Sequence, residues 1–549
     1  MTVTVGAAVI DCLVDEGITT LFGIPGKQTL PMNEAVADRD DVEFVMARHE
    51  TVVSHNAWGY AESSGEMAAT VVIPGPGDMN AMNGLKNAFN DCTPLIHISV
   101  ETEPEIRGGD GIHETPPDTY DNVVKENILV ETPQSTVAEL RQAIRIARTP
   151  PKGPVRIGIP KNFLPMDVEL ASTGDARPAA APSAPDQAVS AAASLLADAE
   201  RPVVVAGGGV RSAEAPAALR DVAERLDAPV VTTYKGKGTF PEDHPLSAGV
   251  LCGGSSTELQ ALLSNADAAL GVGTDFDAVS TGKWSVDLPD DLVHVSLDAS
   301  DIGIGYDPAV GIAADAAQTL SALADALANR AVRSEPGAER AGAVRESDRD
   351  RIADLQNTDE SPLPSVAALD AVRTAAPRDA IVTADAGGSR VWTVVTFPVY
   401  DCRDYVNPGS WATMGSGLPS AIGAKLANPD QQVLTVVGDG GLMMSVHELH
   451  TLVAEDIDVT VVVLNNSDYA IISEEAERNY RLPTSEYGWT DAPLDFQTIA
   501  DGIGLASQYA ETPAELEAAV TDALESDGPT LVEVPTDPAE PQAGVRMTE

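Results

Sequence analysis

The sequence predicts an α/β protein made of three doubly wound parallel-sheet domains. Three observations carry this: the length, short apolar strands recurring between amphipathic stretches, and two interruptions that divide the chain into thirds. At 549 residues the chain exceeds the length at which one hydrophobic core stops growing. The first interruption, Ala171 to Gln187, reads ASTGDARPAAAPSAPDQ and has no apolar periodicity. The second, about Arg330 to Pro362, is charged and poor in large apolar residues apart from a possible short helix. The expected domains are therefore 1–170, 188–330 and 363–540, each of ordinary size.

The first third opens with a helical stretch whose Val5, Val9 and Leu13 share one face. Strands are expected at Thr20 to Gly23, Glu43 to Ala47, Ala69 to Ile73 and Leu95 to Val100. The middle third offers Pro202 to Ala206, Val230 to Thr233, Ala268 to Val272 and Leu292 to Leu297. In the last third, Ala380 to Thr383, Val433 to Val437, Val459 to Leu464 and Thr530 to Val534 follow the same pattern. Such sheets bind ligands at the C-terminal ends of their strands.

Composition excludes several function classes. With 34 basic and 84 acidic residues the formal charge is −50, and the acids are dispersed, so nucleic acid is not a natural partner. A salt-rich cytoplasm that shortens the range of this repulsion would explain why the excess is tolerated. No apolar run of about 18 residues would span a bilayer, and the N-terminus lacks a signal-peptide pattern, so no membrane association and a cytoplasmic address are expected. Cys12, Cys92, Cys252 and Cys402 form no CxxC pair and read as scattered buried thiols.

The most specific stretch is Val433 to Asn466. A strand ends in Gly438-Asp439-Gly440-Gly441, a helix runs through Leu449, and a second strand ends at Asn465-Asn466. Glycines at a strand-to-helix turn let backbone N–H groups approach a phosphate. Mg²⁺ wants oxygen ligands and is usually held by one or two protein groups plus substrate phosphates. Asp439, the Asn466 side-chain oxygen and one backbone carbonyl supply such a set. Separately, an Asp-Gly turn and an Asn-Asn turn are each ordinary loop chemistry; together they point to a metal and a diphosphate. Asp385-Ala386-Gly387-Gly388-Ser389 is a second strand end with paired glycines, suited to anion contact.

GDG, 24 residues, then NN is similar to the signature of thiamine-diphosphate enzymes, and the resemblance extends over nearly the whole chain. It implies thiamine diphosphate and Mg²⁺ as cofactors, with Asp439, Asn466 and the main-chain carbonyl of Asp468 as metal ligands. It also implies that Gly438, Gly440, Gly441, Ala386, Gly387, Gly388 and Ser389 lie along the diphosphate. Gly409 to Ala427 resembles the family's pyrimidine-binding loop, in which Ala412 would offer a backbone acceptor to the 4′-amino group and Met414 would wedge beneath the thiazolium. Glycine is usual at the Ala412 position, and Met414 taken alone reads equally as core packing.

Arg48-His49-Glu50 resembles the motif whose buried glutamate hydrogen-bonds the aminopyrimidine N1′. This makes Glu50 the candidate that activates the cofactor, with burial expected to raise its pKa. The alternative for Glu50 is a solvated loop acid. Flanking matches at Ile24-Pro25-Gly26, Trp58-Gly59-Tyr60-Ala61 and Gly75-Pro76-Gly77-Asp78-Met79-Asn80 favour the motif, and add Gly26, Pro76 and Asn80 to the cofactor-binding candidates. Glu50 and the metal ligands lie in different domains, and in the family one cofactor bridges two subunits. A homodimer or homotetramer with active sites between subunits is therefore implied.

The domain order looks like the acetolactate synthase and 2-oxo acid decarboxylase branch, as do Gly153 to Asn162 and Gly236 to Leu246. The implied reaction is decarboxylation and carboligation of a 2-oxo acid. The alternatives are a non-ligating decarboxylase or C–C lyase, and a catalytically inactive cofactor-binding homologue. The middle domain departs from the synthases. Gly207-Gly208-Gly209 fits their glycine turn, but two expected arginines become Asp275 and Val279, and a histidine near Cys252-Gly253-Gly254 is missing. FAD and a carboxylate-bearing acceptor are therefore both in doubt. In Gly111-Ile112-His113-Glu114 a histidine replaces the usual glutamine, which makes His113 and Glu114 further catalytic candidates, against the reading of a surface loop pair. His447 and His450 read as structural. A Rossmann dehydrogenase is the rival from another class, but GxGxxG with a downstream acid is absent.

Overall fold

The structure, a computed structural model, describes residues 2–109, 113–169, 176–483 and 487–548. Three six-stranded sheets, each parallel throughout, form its layers. The first runs Glu43–Met46, Thr20–Gly23, Ala69–Val72, Ile96–Glu101, Val155–Pro160, Glu126–Leu129. The second runs Ser247–Leu251, Val230–Thr233, Pro202–Ala206, Ala268–Val272, Leu292–Ser296, Val310–Ala313. The third runs Tyr405–Val406, Ile381–Ala384, Val433–Gly438, Thr460–Asn465, Thr530–Pro535, Ala506–Tyr509. Helices cover both faces, so the central strands are buried on each side and read as continuous Val, Ile and Leu runs.

Each sheet starts in one direction from its first strand and then crosses to that strand's other side, and a crevice opens at that switch point. In the third sheet the chain leaves Ile381–Ala384 for the edge strand Tyr405–Val406, then returns to Val433–Gly438 on the other side. Asp385 and Asp439 therefore follow adjacent strand ends. In the first sheet the switch lies between Thr20–Gly23 and Ala69–Val72, which brings the turns at Gly26 and Gly75 to one edge.

The first and third units share one apolar core. Phe22, Trp58, Leu85 and Tyr120 belong to the same buried cluster as Ile381, Leu418, Ile422 and Val463. The seam is the crossing of helix Glu50–Ser64 over helix Gly417–Ala427. A Cβ on Gly423 would lie 1.9 Å from the Asn56 carbonyl oxygen, and one on Gly59 would lie 2.3 Å from that of Ser420, so only glycine permits this approach. A polar tie reinforces the seam: the Arg48 amide donates to Oε1 of buried Glu448 at 2.7 Å, and Arg48 Nε donates to His450 Nδ1 at 2.9 Å.

Several expectations are corrected. The charged stretch 330–362 contains a 20-residue helix, Gly337–Gln356, which turns only Gly337, Ala341 and Val344 inward; its exposed charge hid it. The helix after Gly438 breaks at Val446–Glu448 into a 3₁₀ turn before resuming at Leu449. Helix Asp186–Asp198 begins inside the expected first linker, of which 171–175 lie outside the described residues, as do Gly111 and Ile112. The third unit extends past 540, since Ala543 is buried in its core. Cys92 is exposed and Cys252 half-buried, so only Cys12 and Cys402 are buried thiols. No helix among the described residues is long and apolar enough to cross a membrane.

Candidate functional site

The strand Val433–Gly438 delivers Asp439 as the first residue of helix Asp439–Ser445, buried behind the sheet edge. On the neighbouring strand, Thr460–Asn465 leads directly into Asn466, Ser467 and Asp468. The two ends are joined, because the Ser467 amide donates to Asp439 Oδ2 at 2.8 Å. Asn466 Oδ1 accepts the Asp468 amide at 3.1 Å, and Asp468 Oδ1 accepts the Ser473 hydroxyl at 2.7 Å. Asn465 points elsewhere, donating to Glu533 Oε1 at 2.6 Å. Burial pushes the Asp439 carboxyl up to about 7, against the pull of the Gly440 and Ser467 amides. A buried carboxylate so disfavoured suits a cation as neighbour.

Asp385 stands one strand away and is fully buried. Its Oδ1 accepts the amides of Ala386 at 2.7 Å, Gly415 at 2.9 Å and Ser416 at 3.3 Å, which fastens the 412–416 loop to the strand end. Burial pushes its carboxyl up to about 6 despite those amides. Ala412 takes φ 47°, a left-handed conformation that strains an L residue and explains why glycine suits the position. Met414 beside it is half-buried. Open space faces the backbone at two of the expected diphosphate glycines: nothing lies within 4 Å of a Cβ built on Gly387, and for Gly438 the nearest such atom is Ser389 Oγ at 4.0 Å. On the side where a Cβ would stand, Gly441 backs against the Asp385 carboxylate and Gly440 against Tyr469, so close packing also requires glycine at these two.

The donor set fits a Mg²⁺–diphosphate. Among the described residues no cluster of three or more His, Cys, Asp or Glu side chains could hold a metal alone. One buried carboxylate, an amide oxygen and a loop carbonyl beside open glycines is what a hard ion needs when phosphate oxygens complete its shell.

In the first unit Glu50 is the first residue of helix Glu50–Ser64. It is only half-buried in the single chain, and its Oε2 accepts the Asn80 amide at 3.0 Å. Asn80 sits one turn into helix Pro76–Asn90, whose start is fixed by buried Asp78 paired with Arg156 at 2.7 Å and His97 at 2.9 Å. Gly26 presses on Ile73 and closes its own turn through Thr29. The same helix meets the third unit further on, where Asn83 Nδ2 donates to Thr413 Oγ1 at 3.0 Å. His113 has φ 68°, packs against Gly75, and leaves a buried Nδ1 without a hydrogen-bond partner. Glu114 Oε1 accepts the Gly108 amide at 2.5 Å, a local loop contact.

Sequence reasoning missed three features. Asp385 was visible in its motif but not as the residue that holds the 412–416 loop. Met79, Trp411, Met443 and Met444 are exposed beside the site elements, a signal of a covered surface that only the fold brings together. Finally, a cavity of about 370 Å³ lies between the first and central units. Its buried cations are already matched: Lys235 meets Glu62 at 2.7 Å and Asp91 at 3.0 Å, and Arg211 meets Glu62 at 2.7 Å. Asp275, Asp277, Asp298 and Asp301 line the remaining wall.

Comparison with known proteins gives consistent matches. Models described as the thiamine pyrophosphate enzyme N-terminal TPP binding domain, central domain and C-terminal TPP binding domain match residues 3–122, 189–323 and 385–534. The chain is 31% identical to the acetolactate synthase isozyme 1 large subunit of Escherichia coli, covering 97% of this chain and 94% of that protein. It is 30% identical to a probable acetolactate synthase large subunit of Methanocaldococcus jannaschii, with 97% and 92% covered. Against the acetolactate synthase large subunit of Lactococcus lactis it is 29% identical, with 96% and 91% covered.

Proposed function

The chain belongs to the thiamine pyrophosphate enzyme family, and from that premise we propose that it is an acetolactate synthase-like carboligase acting on 2-oxo acids. The observation that carries the site is the pairing of buried Asp439 with the Asn466 loop at adjacent strand ends, linked through the Ser467 amide. When bound, thiamine diphosphate would supply a nucleophilic carbon for a 2-carbonyl and an electron-poor thiazolium ring to accept the electron pair left on the substrate carbon as CO₂ departs.

The chain's own residues do the rest. Asp439, Asn466 and the Asp468 carbonyl would hold Mg²⁺, and the turns at 386–389 and 438–441 would receive the diphosphate. Ala412 and Met414, braced by Asp385, would set the pyrimidine and thiazolium orientation. Glu50, steadied by Asn80, would hold the proton shared with the aminopyrimidine. Because Glu50 stays half-exposed in one chain, a second copy is the partner that completes the site, in a homodimer or homotetramer. The exposed Met79, Trp411, Met443 and Met444 support such a contact. Cytoplasmic residence in a salt-rich cell accords with the −50 charge.

The acidic lining of the cavity between the first and central units weighs against FAD. A dinucleotide diphosphate there would face Asp275, Asp277, Asp298 and Asp301 with Lys235 and Arg211 already neutralised, which leaves Lys152 and Arg403, each bound to backbone carbonyls, as its cations. His113, which packs against Gly75 and has an unpartnered Nδ1, would be the residue that moves a proton to or from the substrate. The relatives are named synthases, so a non-ligating decarboxylase and an inactive homologue take second place. The test is CO₂ release from pyruvate by protein reconstituted with thiamine diphosphate and Mg²⁺, with products identified by mass. Absence of CO₂ with every 2-oxo acid tried would refute the reading, and a yellow, flavin-bearing protein would refute the case against FAD.

A further inference from the structure

A second cavity, of about 590 Å³, opens between the central and third units. Its walls descend from both halves of the candidate cofactor site. Val391 and Val394 lie on helix Gly388–Thr396, which starts in the expected diphosphate loop; Ile471 and Glu474 lie on helix Ala470–Glu475, which follows the Asn466–Asp468 turn. Its size and mixed lining suit a small organic ligand.

The charges in this wall are unequal in their freedom. Arg478 is engaged with Glu475 at 2.7 Å and Glu474 at 3.5 Å. Arg390 has no carboxylate within ion-pair distance among the described residues. Its Nη1 donates to the carbonyls of Pro408 at 2.6 Å and Gly409 at 3.3 Å, while Nε and Nη2 make no hydrogen bond to any described residue. The guanidinium lies 5.7 Å from the Tyr234 ring centroid, so its plane is held between the backbone of 408–409 and an aromatic wall. Half-buried and fixed from one side, it offers the cavity a preorganised fork.

A 2-oxo acid is an anion, and it must enter a protein of charge −50. The sites where the synthase pattern carries arginines are Asp275 and Val279 here, and Val279 itself lines this cavity. We infer that Arg390 is the carboxylate-binding residue of this cavity, taking the 2-oxo acid through its free Nε and Nη2. This rests on the reading of the chain as a 2-oxo acid carboligase and names the group that recognises the substrate. A guanidinium forms two parallel hydrogen bonds to a carboxylate, where an ammonium offers only a point charge.

The experiment uses the cofactor-loaded protein and oxamate, an unreactive carboxylate probe, with neutral oxamide as control. Affinities are measured calorimetrically for wild type, Arg390→Lys and Arg390→Met, alongside the thiamine diphosphate Kd and the kinetics with pyruvate. The expected result is oxamate binding weakened about tenfold or more in Arg390→Met and less in Arg390→Lys. Oxamide and cofactor affinity should not change, and KM for pyruvate should rise more than kcat falls. Equal oxamate binding in all three proteins overturns the inference. So does a parallel loss of cofactor affinity, which would make Arg390 only a brace for 408–409. If the wild type releases no CO₂ yet oxamate binding still depends on Arg390, the carboligase reading fails while the anion site stands.

Discussion

Asp385 accepts the Gly415 amide at 2.9 Å, tying the end of one strand to the loop that carries Ala412 and Met414. Since the same oxygen also takes the Ala386 and Ser416 amides, Asp385→Ala leaves three buried donors unmatched. Each such orphan costs about 1–3 kcal/mol. The variant should lose at least about 2 kcal/mol in denaturant unfolding and bind thiamine diphosphate about tenfold more weakly by calorimetry. Asp385→Asn, which keeps one oxygen, should fall between.

Glu50→Gln keeps the Asn80 contact through its amide oxygen but removes the carboxylate. Turnover should fall by about 10²–10⁴-fold in a CO₂-release assay, with cofactor affinity nearly unchanged. Full activity would return Glu50 to the status of a loop acid.

At the seam between the first and third units, Gly423→Ala would force a methyl to within 1.9 Å of the Asn56 carbonyl. Overpacking of this kind costs about 1–3 kcal/mol, seen as a lower midpoint in urea. Alanine at Gly502, where nothing lies within 4 Å, should have no such effect.

Glu540 Oε2 accepts the Ser365 amide at 2.6 Å, and burial pushes its carboxyl from 4.5 up to about 7. Asp404 is pushed from 3.8 to about 7 by burial and by neighbouring Asp401 and Asp379. Both folded values lie above the unfolded ones, so the folded state binds more protons in this window. Stability is then greatest below the unfolded values and declines as pH rises through about 7. Tm should fall between pH 6 and pH 8, and Glu540→Gln, which preserves the Ser365 contacts, should flatten that slope.

Removing salt should also destabilise the chain, since dispersed carboxylates repel over a longer range as screening weakens. A Tm that rises steadily with KCl is the expected outcome; indifference to salt would reject it.

Most of the strands that carry the site were legible because parallel strands buried on both faces are unbroken apolar runs, as in Val433–Gly438 and Thr460–Asn465. The edge strands Ala506–Tyr509 and Glu126–Leu129 were not, because each is only partly buried and mixes polar with apolar residues. Helix Gly337–Gln356 hid for the same reason. Asp439 and Asn466 could be named from spacing, whereas the bracing by Asp385 and the freedom of Arg390 depend on loops far apart in sequence. Those relations exist only once the switch point of the third sheet is formed.

The apolar core shared by Phe22 and Trp58 with Ile422 and Val463 has a consequence for the gene as well as the protein. The first unit is attached to the third by packing and to the central unit by the Lys235 and Arg211 ion pairs, in addition to the chain itself. A reading frame divided within 176–185 should therefore yield two polypeptides that find each other again when expressed together.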